Sequence, residues 1–159
     1  MEYQTDYALI LEQLAALLEG ERDTVANLAN ASALLNISLA HINWVGFYLV
    51  RDGGLVLGPF QGRPACRRIA FGKGVCGAAA AAGASILVEN VHEFAGHIAC
   101  DSASNSEIVV PVFQDAALRA VLDIDSPLAG RFTLEDQAGL EQCAALLGRS
   151  CDWGDILKA

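Results

Sequence analysis

Two pairs of apolar segments, each joined by a turn too short for a crossover, fix the kind of sheet this chain can build. Residues 42–50 are rich in aromatic and β-branched side chains, and Asp52-Gly53-Gly54 leads straight into Leu55-Val56-Leu57. Residues 107–113 and 118–124 repeat the arrangement around Gln114-Asp115. A tight turn joins antiparallel neighbours, whereas parallel ones need a connection of a dozen residues or more. Both pairs therefore read as antiparallel hairpins. Residues 66–71 and 86–88 add two shorter strand segments.

Helices flank these strands in the sequence. Leu11, Leu14, Leu17 and Leu18 repeat at helical spacing over residues 7–19, and Gly20 stops the run. Asp23 or Thr24 caps a second helix to about residue 35, with Val25, Leu28, Ala31, Leu34 and Leu35 on its apolar face. The alanine-rich segment 75–82 predicts a short helix closed by Gly83. Thr133-Leu134-Glu135-Asp136 has the form of a capping box and opens a last helix to about residue 147. Residues 91–106 have no period and read as a long loop. The order predicts one α+β domain over 1–159, a central antiparallel sheet flanked by helices, with the helices on one face.

Charge removes several functions. Ten Lys and Arg stand against nineteen Asp and Glu, a net −9 that is wrong for gripping phosphates, so no nucleic acid is expected. No acidic or basic residue occurs between Asp23 and Arg51, yet Asn27, Asn30, Ser32, Asn36, Ser38, His41 and Asn43 interrupt that stretch. Each would need a partner in hydrocarbon, so no membrane span is expected. The acidic start, Met1-Glu2-Tyr3-Gln4-Thr5-Asp6, lacks the positive charge of a secretory signal. A chain of 159 residues buries enough surface to need no disulfide staple, and five cysteines is an odd number. A cytoplasmic, reducing location follows as the expectation.

The cysteines divide by context. Cys143 lies between Leu140 and Leu146 at helical spacing and reads as a small core residue, while Cys151 reads as incidental, an exposed thiol near the C-terminus. Cys66 sits among Arg63, Arg67, Arg68 and Lys73, a basic window without acids. Positive charge there favours a thiolate; equally, strand alternation would put those arginines in solvent. Cys76, in Gly74-Val75-Cys76-Gly77, either feels a helix N-terminus or fills space beside glycines. Cys100 lies in a polar, hydroxyl-rich segment flanked by His97, the setting of a reactive loop residue.

Asp123 and Asp125 occupy alternate positions and share one face of an apolar strand. Like charges so close disfavour double ionisation, leaving a proton to donate or a charge to bind an ammonium group. For metal, Cys66, Cys76, His92, His97 and Cys100 offer donor atoms at spacings that fit no zinc pattern, and no metal is expected. Gly72-Lys73-Gly74-Val75-Cys76-Gly77 matches neither a P-loop nor a dinucleotide fingerprint.

Asn43-Trp44-Val45-Gly46-Phe47-Tyr48, Leu57-Gly58-Pro59-Phe60-Gln61-Gly62, Gly74-Val75-Cys76-Gly77, His97-Ile98-Ala99-Cys100-Asp101, Ser104-Asn105-Ser106-Glu107-Ile108-Val109 and Leu122-Asp123-Ile124-Asp125-Ser126 occur in that order. Together they closely resemble the GAF-domain free methionine-(R)-sulfoxide reductases. The resemblance runs over nearly the whole chain, and Cys143 and Cys151 lie outside the family pattern. It implies a dimeric GAF domain that reduces free methionine-(R)-sulfoxide to methionine without a cofactor. It implies Cys100 as the nucleophile and Cys66 as the resolving cysteine, with Cys76 the third family cysteine; both Cys66 and Cys76 have arguments for the resolving role. Trp44 and Tyr48 would wall the substrate's methyl group, while Glu107, Asp123 and Asp125 would hold its amine and sulfoxide end. A thiolate attack would leave a sulfenic acid that closes to a disulfide, reset by thioredoxin. The alternatives are a non-enzymatic GAF sensor that binds a small ligand and, further off, a zinc protein.

Overall fold

The structure is a computed structural model that describes residues 4–96 and 103–156. Six strands form one sheet: β1 (Trp44–Arg51), β2 (Gly54–Gln61), β3 (Arg68–Ala70), β4 (Ile86–Val88), β5 (Ser106–Gln114) and β6 (Ala117–Ser126). Their spatial order is β3-β2-β1-β6-β5-β4, and every pairing is antiparallel. The two hairpins meet along β1 and β6, where Trp44 faces Asp125 and Gly46 faces Asp123. Both hairpin turns have the backbone they need. Asp52 and Gly53 take φ of 52° and 75°, and Asp115 takes 53°.

The helices are α1 (Tyr7–Leu18), α2 (Thr24–Ser38), α3 (Gly74–Ala82), α4 (Leu134–Ser150) and the single turn α5 (Trp153–Ile156). Their caps follow the sequence signals. Asp6 accepts from Leu9 N at 3.0 Å and Asp23 from Ala26 N at 2.8 Å. Thr133 and Asp136 form the reciprocal capping box. Gly83 ends α3 in the left-handed region at φ 64°.

One expectation fails. Helices cover both faces of the sheet. Val45, Phe47 and Leu49 of β1 join Ile108, Val110, Leu122 and Ile124 in a core closed by α1, α2 and α4. The alternate residues Trp44 and Tyr48, with Val109 and Val121, pack against Val75, Cys76 and Ala79 of α3. The physical reason is the unbroken apolar run of β1, where all residues from Trp44 to Leu49 are buried. Such a strand needs cover on both sides.

Smaller differences have local causes. β2 runs on to Gln61, well past residue 57, by absorbing a bulge opposite Gly46 and Tyr48 where Pro59 lies. β3 keeps only three residues of the predicted 66–71. No sequence signal predicts α5; Trp153 anchors it, fully buried, with Nε1 donating to Gly148 O at 3.0 Å. Cys151 is buried in the main core and accepts a contact from Asn27 Nδ2 at 3.8 Å, so the expectation of an exposed thiol is corrected. Cys143 is a core residue, as its spacing predicts. Within the segment read as a long loop, Val91–Glu93 forms a 3-10 turn. Among the described residues no helix is long and apolar enough to cross a membrane.

A buried polar latch ties the main layer together. Tyr7 donates to Asp136 Oδ1 at 2.7 Å, and Arg131 Nη1 donates to Asp136 Oδ2 at 3.2 Å. Arg131 Nε also donates to Ala40 O at 2.9 Å. One carboxylate thus joins α1, the segment before β1 and the start of α4.

Candidate active site

Strand alternation assembles the site on the α3 face of the sheet. Trp44 and Tyr48 stand on β1 with only Gly46 between them on that face. Asp123 and Asp125 project from β6, and β5 adds Glu107 directly opposite Asp125. All five line one cleft that opens to solvent.

The aromatic wall is fixed from several sides. Trp44 stacks with Tyr48 (centroids 6.0 Å apart, planes 23°) and with Phe60 (5.2 Å, 16°). A Cβ on Gly46 would lie 2.3 Å from that of Phe60, so the glycine makes room for the stack. Gly62, at φ +141°, lets the chain turn against the indole, where a Cβ would come within 2.5 Å of Trp44 Cδ1. The polar tips reach the same neighbour. Trp44 Nε1 donates to Arg63 O at 3.1 Å, and Tyr48 Oη donates to Cys66 O at 2.9 Å. The wall therefore holds the segment 63–66 that carries Cys66.

Opposite the wall lies the first turn of α3. Gly77 lets that turn approach β3, since a Cβ there would sit 2.4 Å from Ala70 O. Cys76 is buried beside Glu107 and Asp123, the ligand-type atoms of the three lying within 4.8 Å of one another. Burial, then the charges of Asp123, Glu107 and Asp125, push its thiol well above the ordinary range. The helix-terminus effect does not prevail, and Cys76 is a neutral, packed thiol.

The acids are displaced in the same direction. Burial raises Glu107 well above the usual carboxylate range, and the charges of Asp123 and Asp125 add to it. Burial also raises Asp123, partly offset by the neighbouring polar groups of Glu107, Cys76 and Asp125. Tyr48 is raised by burial and by Asp123, so its hydroxyl stays a donor. The cluster retains protons where isolated carboxylates would have lost them, and it presents the rest of its charge to the cleft.

Other predicted residues are placed less centrally. Cys66 is half-buried and disulfide-bonded. Arg63, Arg67, Arg68 and Lys73 are exposed, so the basic window is a solvated rim. Arg68 reaches Asp52 at 3.5 Å with both side chains mostly in water, a pair of little energetic weight. Lys73 lines the cleft mouth. His92 contacts Asn105 at 3.1 Å, and the ligand-type cluster found among the described residues is Cys76, Glu107 and Asp123. Cys100 and His97 lie outside the described residues. Two residues gained no role from sequence: Ser104 lines the cleft, and Asn43 Nδ2 donates to its hydroxyl at 3.1 Å. Nothing in the local sequence separates Ser104 from the hydroxyls around it.

Residues 21–150 match the GAF domain family. The chain is 55% identical over 152 residues to the free methionine-R-sulfoxide reductase of Escherichia coli, covering 96% of this chain and 92% of the relative. Among solved structures, fRMsr of Staphylococcus aureus in complex with substrate superposes with a TM-score of 0.90 at 48% identity, covering 94% of this chain and 98% of that one. The free methionine-R-sulfoxide reductase of Neisseria meningitidis in complex with its substrate gives 0.90 at 41%, covering 98% and 96%.

Proposed function

Because the chain belongs to the GAF family, alongside the free methionine-R-sulfoxide reductases, we propose that it reduces free methionine-R-sulfoxide to methionine in this cleft. One observation carries the reading. A buried group of acids that retains protons lies beneath an aromatic wall in a single cleft.

The reaction divides along the chemistry of these groups. Trp44 and Tyr48 receive the substrate's methyl group. Glu107, Asp123 and Asp125 bind the ammonium and hydrogen-bond the sulfoxide oxygen. A peptide-bound methionine lacks the free ammonium, which favours the free amino acid. Lys73 and the N–H groups opening α3 suit the substrate carboxylate. The Cys100 thiolate attacks the sulfoxide sulfur while the acid cluster delivers protons to the oxygen. The S–O bond breaks, methionine leaves, and the oxygen passes to Cys100 as a sulfenic acid. The Cys66 thiol then attacks Cys100 sulfur, forming a disulfide and releasing water. The disulfide-bonded state of Cys66 supports its place as the resolving thiol, and the burial of Cys76 argues against that role for it. Resemblance to the family supports thioredoxin as the dithiol reductant, a homodimeric state and a cytoplasmic site of action.

A thioredoxin-coupled assay on separated R and S epimers, free and peptide-bound, tests the proposal. Only the free R epimer should turn over. Cys100→Ser should abolish activity, and Cys66→Ser should release one methionine per chain and stall. Full coupled activity in Cys100→Ser would remove the assigned nucleophile, and consumption of no epimer would favour a ligand-binding sensor.

A further inference from the structure

Cys76, Glu107 and Asp123 share a property that the sulfoxide chemistry does not use. Each is buried, and each offers a donor atom within 4.8 Å of the other two. In a tetrahedral site with Zn–S of about 2.3 Å and Zn–O of about 2.0 Å, ligand atoms stand roughly 3.3–3.5 Å apart. Side-chain rotations of about an ångström or less in each arm span that difference. Asp123 Oδ1 is moreover buried with no hydrogen-bond partner among the described residues. A buried acceptor left unsatisfied is costly, and a cation would satisfy it. The three groups come from three elements, α3, β5 and β6, so the sheet and helix hold them without a ligand.

We propose that the cleft also takes a thiophilic divalent cation, of the zinc or cadmium kind, held by Cys76 Sγ and by carboxylate oxygens of Glu107 and Asp123. The fourth coordination position faces the cleft and is filled by water. One thiolate and two carboxylates favour zinc and cadmium over magnesium or calcium, which prefer all-oxygen shells. The thiol proton passes to buffer on binding. On the reading of the cleft given above, the cation occupies the place of the substrate's polar end and so excludes it.

Cadmium is the probe, because a thiolate–cadmium bond gives an ultraviolet charge-transfer absorption. The oxidised protein is titrated, in which Cys66 is disulfide-bonded; Cys143 and Cys151 are buried in the opposite core. The expected result is one cadmium per chain with the thiolate band, and no band in Cys76→Ser. Glu107→Gln and Asp123→Asn, each checked for folding by circular dichroism, should bind more weakly by about tenfold or more, a loss that even outer-shell partners can cause. A band that persists in Cys76→Ser, or affinities unchanged in both carboxylate variants, overturns the site. The carboxylate pair decides the matter by calorimetry even if Cys76→Ser fails to fold. Free methionine sulfoxide should compete with the metal. Intact cadmium binding without competition leaves the metal site standing and counts against the substrate placement instead.

Discussion

Tyr48→Phe separates the two jobs that the structure gives this side chain. The substitution keeps the ring and its 6.0 Å stack with Trp44 and removes only the hydroxyl that donates to Cys66 O at 2.9 Å. A lost hydrogen bond costs about 1 kcal/mol net, and up to about 3 kcal/mol if a buried acceptor stays unsatisfied. Tyr48 is 2% exposed, but Cys66 is only half-buried, so water can reach its carbonyl. The lower figure applies, about 1 kcal/mol, or a Tm lowered by roughly 2–4 °C in a chain of this size. The same loosening falls on the segment that presents Cys66. If that energy is lost from the closing step, disulfide formation slows about fivefold. The nucleophile, the acids and the aromatic face are untouched, so the first methionine should form at the wild-type rate. Rapid quench without reductant measures methionine, and thiol titration on the same time course measures disulfide closure. Because burial holds the phenol protonated, the effect should not vary across neutral pH. An equal slowing of methionine formation would refute the reasoning, since it would mean that the hydroxyl acts on the substrate.

Three other perturbations address the acids, the packing of α3 and the polar latch. Glu107 has a raised folded-state pKa, so the folded state is favoured below the ordinary carboxylate pKa of 4.5 and loses that advantage as pH rises toward the folded value. Glu107→Gln should therefore stabilise the fold at neutral pH, with the gain fading in acid while turnover falls; thermal unfolding across pH measures it, and a gain independent of pH would contradict it. Gly77→Ala would bring a Cβ to 2.4 Å from Ala70 O and should cost about 1–3 kcal/mol, with Cys76 more reactive toward thiol reagents; urea unfolding and thiol labelling check it. Asp136→Ala leaves Arg131, 6% exposed, without its carboxylate and should cost about 3–5 kcal/mol in the same unfolding assay; a loss under about 1 kcal/mol would mean that water replaces the carboxylate.

Local rules carried much of the fold. Asp52-Gly53-Gly54 and Gln114-Asp115 could only close hairpins, and Thr133 with Asp136, Gly20 and Gly83 could only start or stop helices. These signals are short-range, so they can be read from neighbouring residues. Strand alternation alone likewise puts Asp123 and Asp125 on one face. Local context marked Cys66 and Cys100 as candidate reactive thiols; the resemblance supplied Trp44, Tyr48, Glu107 and which cysteine attacks and which resolves.

What the sequence determined by itself was antiparallel hairpins, capped helices, an acidic net charge, and a pair of aligned aspartates. Long-range packing decided the rest. The register of the β5–β6 hairpin set Glu107 against Asp125, and the docking of α3 on the second face buried Cys76 beside these acids; burial then raised the pKa values of Cys76 and Glu107. The basic window read equally well as a thiolate trap or a solvated rim, and exposure settled it as a rim. Cys151, incidental by sequence, became core because α4 carries it beside α2. The physical reason is common to all three. Desolvation and Coulomb interactions depend on distance through space, and residues more than sixty positions apart come within bonding reach only when the sheet closes.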